Sequence, residues 1–204
     1  MKVSVRERKL MLIAYLLAEY ELAEVDTLVE WFRADAATRT DRLKNRLLTD
    51  GPDDRYVDDF EVIRSVSQLN SDLSIVALWR CIEFCRKRVI QSTLGDDAAR
   101  EAATHTKAIV KLKEIGISER GVVRWEDVEE LRCLNNAIKH GGYVKGPLAK
   151  FKAWSGRFGE QISDTNAEYP RLRSSTKEYI KDLTMQASRW LVSSQTPNPQ
   201  GLPT

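Results

Sequence analysis

No proline interrupts the chain between Pro52 and Pro147, and over that stretch apolar residues recur every three or four positions. An interior proline removes a helical hydrogen bond and clashes with the preceding turn, so its absence leaves long helices open to most of the chain. Residues 71–94 carry the clearest pattern: Ile75, Leu78, Ile82, Cys85 and Val89 fall on one stripe, and Gly95 supplies a left-handed stop. A helix over about 5–32, broken near Glu21, presents Leu10, Ile13, Leu16, Leu17 and Tyr20. Asp96 is expected to cap one helix running through Ala99, Ala102, Ile109 and Leu112 to just before Gly116. Residues 125–140 form the next helix and stop at Gly141-Gly142; residues 170–193 form the last, with Pro170 in its first turn and Leu172, Tyr179, Ile180, Leu183 and Ala187 on one face. Shorter helices are expected over 36–48 and 57–69. No segment alternates with period two for long enough to build a sheet, so the fold class is all-α, a helical bundle of five or more helices.

With 204 residues, 42% of them apolar, a compact domain hides roughly 70% of the surface its unfolded chain exposes and needs no disulfide or metal staple. One domain is expected over residues 1–194, with residues 1–50 able to form a helical N-terminal arm set off by Asp50-Gly51-Pro52-Asp53-Asp54. Residues 195–204 lack apolar periodicity and hold Pro197, Pro199 and Pro203, so a disordered tail is expected there. The formal charge of +2 is too small to argue for a nucleic-acid coat or a membrane-surface protein. Cys81, Cys85 and Cys133 sit inside apolar helical patterns, which suits small hydrophobes in a reducing compartment better than zinc ligands on a knuckle; no metal and no cofactor is expected. The apolar run Leu10 to Ala18 is nine residues long, against about 20 for a bilayer span, and Glu19, Glu21 and Glu24 follow it instead of a small-residue cleavage site. It reads as a core helix of a cytoplasmic protein with no membrane partner.

The segment 129–140 reads EELRCLNNAIKH and ends on two glycines. With Arg132 at zero and an advance of about 100° per residue, Asn135, Lys139, Asn136 and His140 fall at about −60°, −20°, +40° and +80°. Leu131, Cys133, Leu134, Ala137 and Ile138 take the remaining arc. One face is apolar, and the other carries Arg, Asn, Asn, Lys and His with no carboxylate over its last two turns. Such a strip is either a solvated face, with Arg132 paired to Glu129 one turn upstream and His140 on the last carbonyls, or a field of donors for an anion.

The string LRCLNNAIKHGG, on the penultimate long helix of an all-α chain, resembles the signature helix of the HEPN superfamily, whose pattern is an arginine, often followed by asparagine, then four to six residues and a histidine. The resemblance implies a homodimer with two such helices across a shared cleft, acting as a metal-independent RNA endonuclease of a toxin–antitoxin or phage-defence system, with RNA as substrate and an antitoxin or defence protein as partner. His140 matches the family histidine and Asn136 the polar residue. Asn135 stands where the tightest spacing puts the arginine; Arg132 is separated from His140 by seven residues, about 12 Å along the axis at roughly 1.5 Å per residue. This departure bears on catalysis more than on fold. Arg132, Asn136 and His140 are thus the expected catalytic residues, and Asn135, Lys139, Tyr143 and Lys145 the expected substrate-binding ones.

RNA carries its own nucleophile, the 2′-hydroxyl, so cleavage needs proton transfer and charge stabilisation at the phosphate. Histidine, with an unperturbed pKa of about 6.5, can move the proton while arginine or lysine holds the phosphate. The alternative function is a non-catalytic HEPN-like module whose strip binds a protein partner or a nucleotide. The loop 141–159 interleaves Lys145, Lys150, Lys152 and Arg157 with Tyr143, Phe151, Trp154 and Phe158, which suits single-stranded RNA or aromatics packed back on the bundle. Arg86-Lys87-Arg88 reads as solvated charge near a helix end, or as RNA-backbone contacts; His105 reads as a satisfied or partly exposed histidine.

Overall fold

A computed structural model describes Val5, Arg8, Leu10, Leu12 and Ile13 and residues 16–50, 54–163 and 165–195. Over these residues the chain is all-α, with six α-helices: α1 (Leu22–Asp50), α2 (Asp54–Leu94), α3 (Asp96–Glu101), α4 (His105–Glu114), α5 (Trp125–Lys139) and α6 (Tyr169–Gln195). The break expected near Glu21 is a π-helical turn, Leu16–Glu21, that leads into α1. The short helices expected over 36–48 and 57–69 are parts of α1 and α2, because neither helix contains a glycine or proline. Within α2, Ser71, Ser74 and Thr93 return their hydroxyls to the carbonyls four residues back, which satisfies them without leaving the helix.

Gly95 has φ +98° and ends α2 as expected. The helix expected from Asp96 to before Gly116 is instead two, α3 and α4. Thr104 stops the first from continuing: its backbone is extended and its hydroxyl accepts the Lys107 N–H, the geometry of an N-cap, so a new helix starts at His105. Asp96 is not the cap of α3 but lies in its first turn. The connection 51–53 and the tail beyond Gln195 lie outside the described residues, as do Met11, Ala14 and Tyr15 of the early apolar run. Among the described residues no helix is long and apolar enough to cross a membrane.

The chain forms two compact units. The first comprises Met1–Glu21, Arg80–Val128 and Ser174–Thr204. Its core holds Ile82, Cys85 and Val89 of α2, Leu112 of α4, and Tyr179, Ile180 and Leu183 of α6, all fully buried. Lys177 and Lys181 both pair with Glu19, and these two ammonium groups hold its carboxyl below the usual range. The link between α4 and α5 is tied to α6 where Asp182 accepts the Val123 N–H and Glu178 accepts from Arg124.

The second unit comprises Leu22–Trp79 and Glu129–Arg173. Ile75, Leu78, Leu131, Leu134, Leu148, Trp154 and Leu172 are buried there. Asp26 of α1 accepts from the Tyr169 hydroxyl at 2.8 Å and from Arg173, while Glu130 accepts from the Trp154 indole at 2.9 Å and from Arg171. Trp154 therefore packs inward, whereas Phe158 of the same loop is exposed. The loop between α5 and α6 divides its aromatics between core and solvent.

Candidate functional site

Helix α5 ends where the glycine pair predicts. Gly141 has φ +118° and Gly142 φ +72°, and the Gly142 N–H reaches back to the Ala137 carbonyl at 2.9 Å, a Schellman closure that a side chain at Gly141 would strain. The chain then folds back along α5. Val144 and Gly159 bond across the loop, Tyr143 and Gln161 form a single antiparallel bridge, and the Lys145 ammonium donates to the His140 carbonyl at 2.9 Å. A cation at the carbonyl end of a helix is favoured by the dipole, so Lys145 is fixed beside His140.

A groove of about 180 Å³ lies between these elements, lined by Arg132, Cys133, Asn136, Ala137 and His140 of α5 and by Lys145, Pro147 and Leu148 of the loop. Arg132, Asn136 and His140 are spaced four apart and form one ridge; Cys133 and Ala137 form the next. On the helical wheel these five residues occupy an unbroken arc from about 0° to 140°. The residues expected to act together are thus divided. Arg132, Asn136, His140 and Lys145 share the groove, while Lys139 and Tyr143 are exposed outside it.

Asn135 departs from expectation most. The helical wheel sets it on the open polar strip, yet it is 1% exposed and absent from the groove wall. At about −60° it borders the apolar arc that holds Leu131 and Ile138, and packing covers that border. Its Nδ2 reaches Asn136 Oδ1 at a long 3.5 Å, and its Oδ1 has no protein partner among the described residues.

Arg132 is half-buried and gripped by Glu129, with Nε to Oε2 at 2.8 Å and Nη2 to Oε1 at 2.5 Å. This is the pairing that the spacing of three allowed. Two parallel charge-assisted bonds fix the guanidinium plane, and an incoming anion must compete with that carboxylate. Burial pushes the Cys133 thiol up, so at neutral pH it is an uncharged wall of the groove rather than a nucleophile. All three cysteines are free, and burial holds Cys81 up at about 11 and Cys85 at about 12. Among the described residues no three His, Cys, Asp or Glu side chains gather closely enough to hold a metal ion.

The sequence reading missed a second polar cluster, in the first unit. Arg86, expected as solvated charge, is buried and ion-paired to Glu119; its Nε donates to the Tyr179 hydroxyl at 3.1 Å, and that hydroxyl donates to Glu119 at 2.9 Å. The available signal was its spacing, four residues from Ile82 and four from Ile90, both fully buried. Comparison of the chain with protein-family models, curated proteins and solved structures found no match.

Proposed function

We propose that the α5 groove receives an RNA phosphate and that the chain is a HEPN-like, metal-independent RNA endonuclease of the toxin or phage-defence type. The observation that carries this reading is the common ridge of Arg132, Asn136 and His140 facing Lys145 across one groove. Its volume is below the roughly 300–1,000 Å³ of a complete small-molecule site, which suits one phosphodiester of a longer strand. Lys145 and Arg132 hold the phosphate oxygens, Asn136 orients the phosphate or the imidazole, and His140 moves the proton.

The reaction needs two proton transfers. The 2′-oxygen attacks phosphorus as its proton leaves, the bond to the 5′-oxygen breaks, and that oxygen takes a proton, leaving a 2′,3′-cyclic phosphate and a 5′-hydroxyl. One chain offers one histidine in this groove, so a homodimer with two facing grooves supplies both roles. Self-association is also supported by an exposed apolar row in the second unit, Val62, Val66, Leu69 and Leu73, spaced four, three and four apart as in a helix–helix seam. Such an effector acts in the cytoplasm and is held in check by an antitoxin or other defence partner.

One observation favours a second reading. The two-bond grip of Glu129 on Arg132 leaves less charge for a phosphate, as a non-catalytic module binding a protein or nucleotide would tolerate. Incubation with mixed RNA and a chelator separates the two. The enzyme is expected as a dimer that leaves cyclic-phosphate ends, and His140→Ala should slow it about 100-fold or more while changing stability by less than about 1 kcal/mol, since the side chain is exposed. A folded protein that leaves RNA intact at high concentration supports the module; a monomer removes the two-histidine mechanism.

A further inference from the structure

A cavity of about 830 Å³ opens in the first unit, walled by the last turns of α2, by α3 and by the start of α4. It exists because Thr104 interrupts what the sequence would run as one helix, and Ala99, Ala102, Ala103 and Ala108 leave its wall low.

Its charge is uneven. Asp96 accepts from Gln91 at 2.7 Å, and Arg100 is paired with Asp97. Arg80 and Lys87 have no ion-pair partner among the described residues, and Arg88 donates to the neutral Gln91 carbonyl; Glu83 is the one further carboxylate of the lining. Cations concentrated in a cleft raise the local potential for an anion. The Arg88 guanidinium also lies 4.8 Å over the Phe84 ring, and Phe84 is part-exposed on the cavity wall. A guanidinium and an aromatic ring held together make a flat surface on which a planar base can stack.

The base of the cavity is preorganised. Arg86, 1% exposed, is held by Glu119 and Tyr179, and its Nη1 lies 2.9 Å from His105 Nδ1. A guanidinium only donates, so His105, in the cavity wall, takes this bond as acceptor at Nδ1.

We propose that this cavity is a binding site for a nucleoside polyphosphate, with the phosphates on Arg80 and Lys87 and the base on the Phe84–Arg88 pair. Inorganic phosphate alone leaves most of the volume empty, whereas a nucleotide matches the usual size of a ligand pocket. The same chemistry occurs at the end of an RNA strand, and the test separates the two sources. None of these residues lines the α5 groove, so this site stands or falls independently of the proposed cleavage.

Titration calorimetry on the full chain with ADP, adenosine, pyrophosphate and a single-stranded ten-nucleotide RNA provides the test. ADP should bind one per chain, at least tenfold more tightly than adenosine or pyrophosphate. Arg80→Glu with Lys87→Glu should weaken ADP at least tenfold, and since both side chains are exposed the unliganded melting temperature should not move. His140→Ala should bind ADP as the wild type does. The assignment is overturned if ADP gives no binding at millimolar concentration, if the double variant binds it unchanged, or if His140→Ala loses it. RNA bound a hundredfold more tightly than ADP, with the same dependence on Arg80 and Lys87, would make the cavity a strand-end site and overturn the free-nucleotide assignment.

Discussion

In the first unit Arg86 and Glu119 form an ion pair with side chains 2% exposed each; in the second, Arg132 and Glu129 form one at 25% and 26%. The chemistry is the same and the consequence differs. In a low-dielectric interior a charge that loses its partner has no water to turn to, so Arg86 and Glu119 are committed to each other and to Tyr179. Near the surface the Coulomb attraction is screened and the pair contributes little, so Arg132 can exchange Glu129 for a phosphate at small cost. Burial, more than identity or charge, separates an arginine that builds a site from one that can serve in it.

The largest expected effect tests the buried pair. Arg86→Ala or Glu119→Ala should each cost about 3–5 kcal/mol, because either leaves an uncompensated charge inside. The double change Arg86→Met with Glu119→Leu should recover part of that loss, since apolar groups of similar volume need no partner while the buried Tyr179 hydroxyl loses both of its own. Urea unfolding measures both; a single variant within 1 kcal/mol of wild type would place Arg86 in the same regime as Arg132.

A smaller effect is expected at the exposed pair. Glu129→Gln releases the Arg132 guanidinium, and RNA should bind up to about fivefold more tightly, the scale of a surface ion pair converted to affinity. Stability should change by less than about 1 kcal/mol. If RNA affinity is unchanged, the phosphate does not engage Arg132.

The smallest concerns a carboxylate with neutral partners. Asp72 is half-buried and accepts from Gln68 at 2.8 Å and Thr165 at 3.3 Å; desolvation pushes its carboxyl up despite those bonds. A raised folded-state pKa means that its contribution to stability is fully present below the unfolded value of about 3.9 and is lost as pH rises through the folded one. Asp72→Asn should therefore be more stable than wild type at pH 7, by less than about 1 kcal/mol since the group keeps part of its exposure to solvent, and equal to it near pH 3. Thermal melts at the two pH values check the sign.

The α5 site was legible in its ridge and not in its centre. Spacing alone put Arg132, Asn136 and His140 together, because a helix imposes 3.6 residues per turn whatever surrounds it. The same wheel kept Asn135 and Lys139 on that strip and missed Cys133, Ala137 and the loop wall of Pro147 and Leu148. A helical wheel has no knowledge of which border of a polar arc a returning loop will cover.

By itself the sequence determined where most of the helices lie, though not the new start after Thr104: the proline-free middle, the apolar spacing of three and four, and the glycines at 95, 141 and 142 fix local backbone geometry within a few residues of chain. It also marked the arginine-rich end of α2, but not which arginine would be inside. That was decided only when Glu119, 33 positions beyond Arg86, came within bonding distance of it, and when Lys145 and Leu148 turned back over His140. Hydrogen-bonding period is written along the chain, whereas desolvation depends on what distant segments bring to the same place, and only the folded chain sets that.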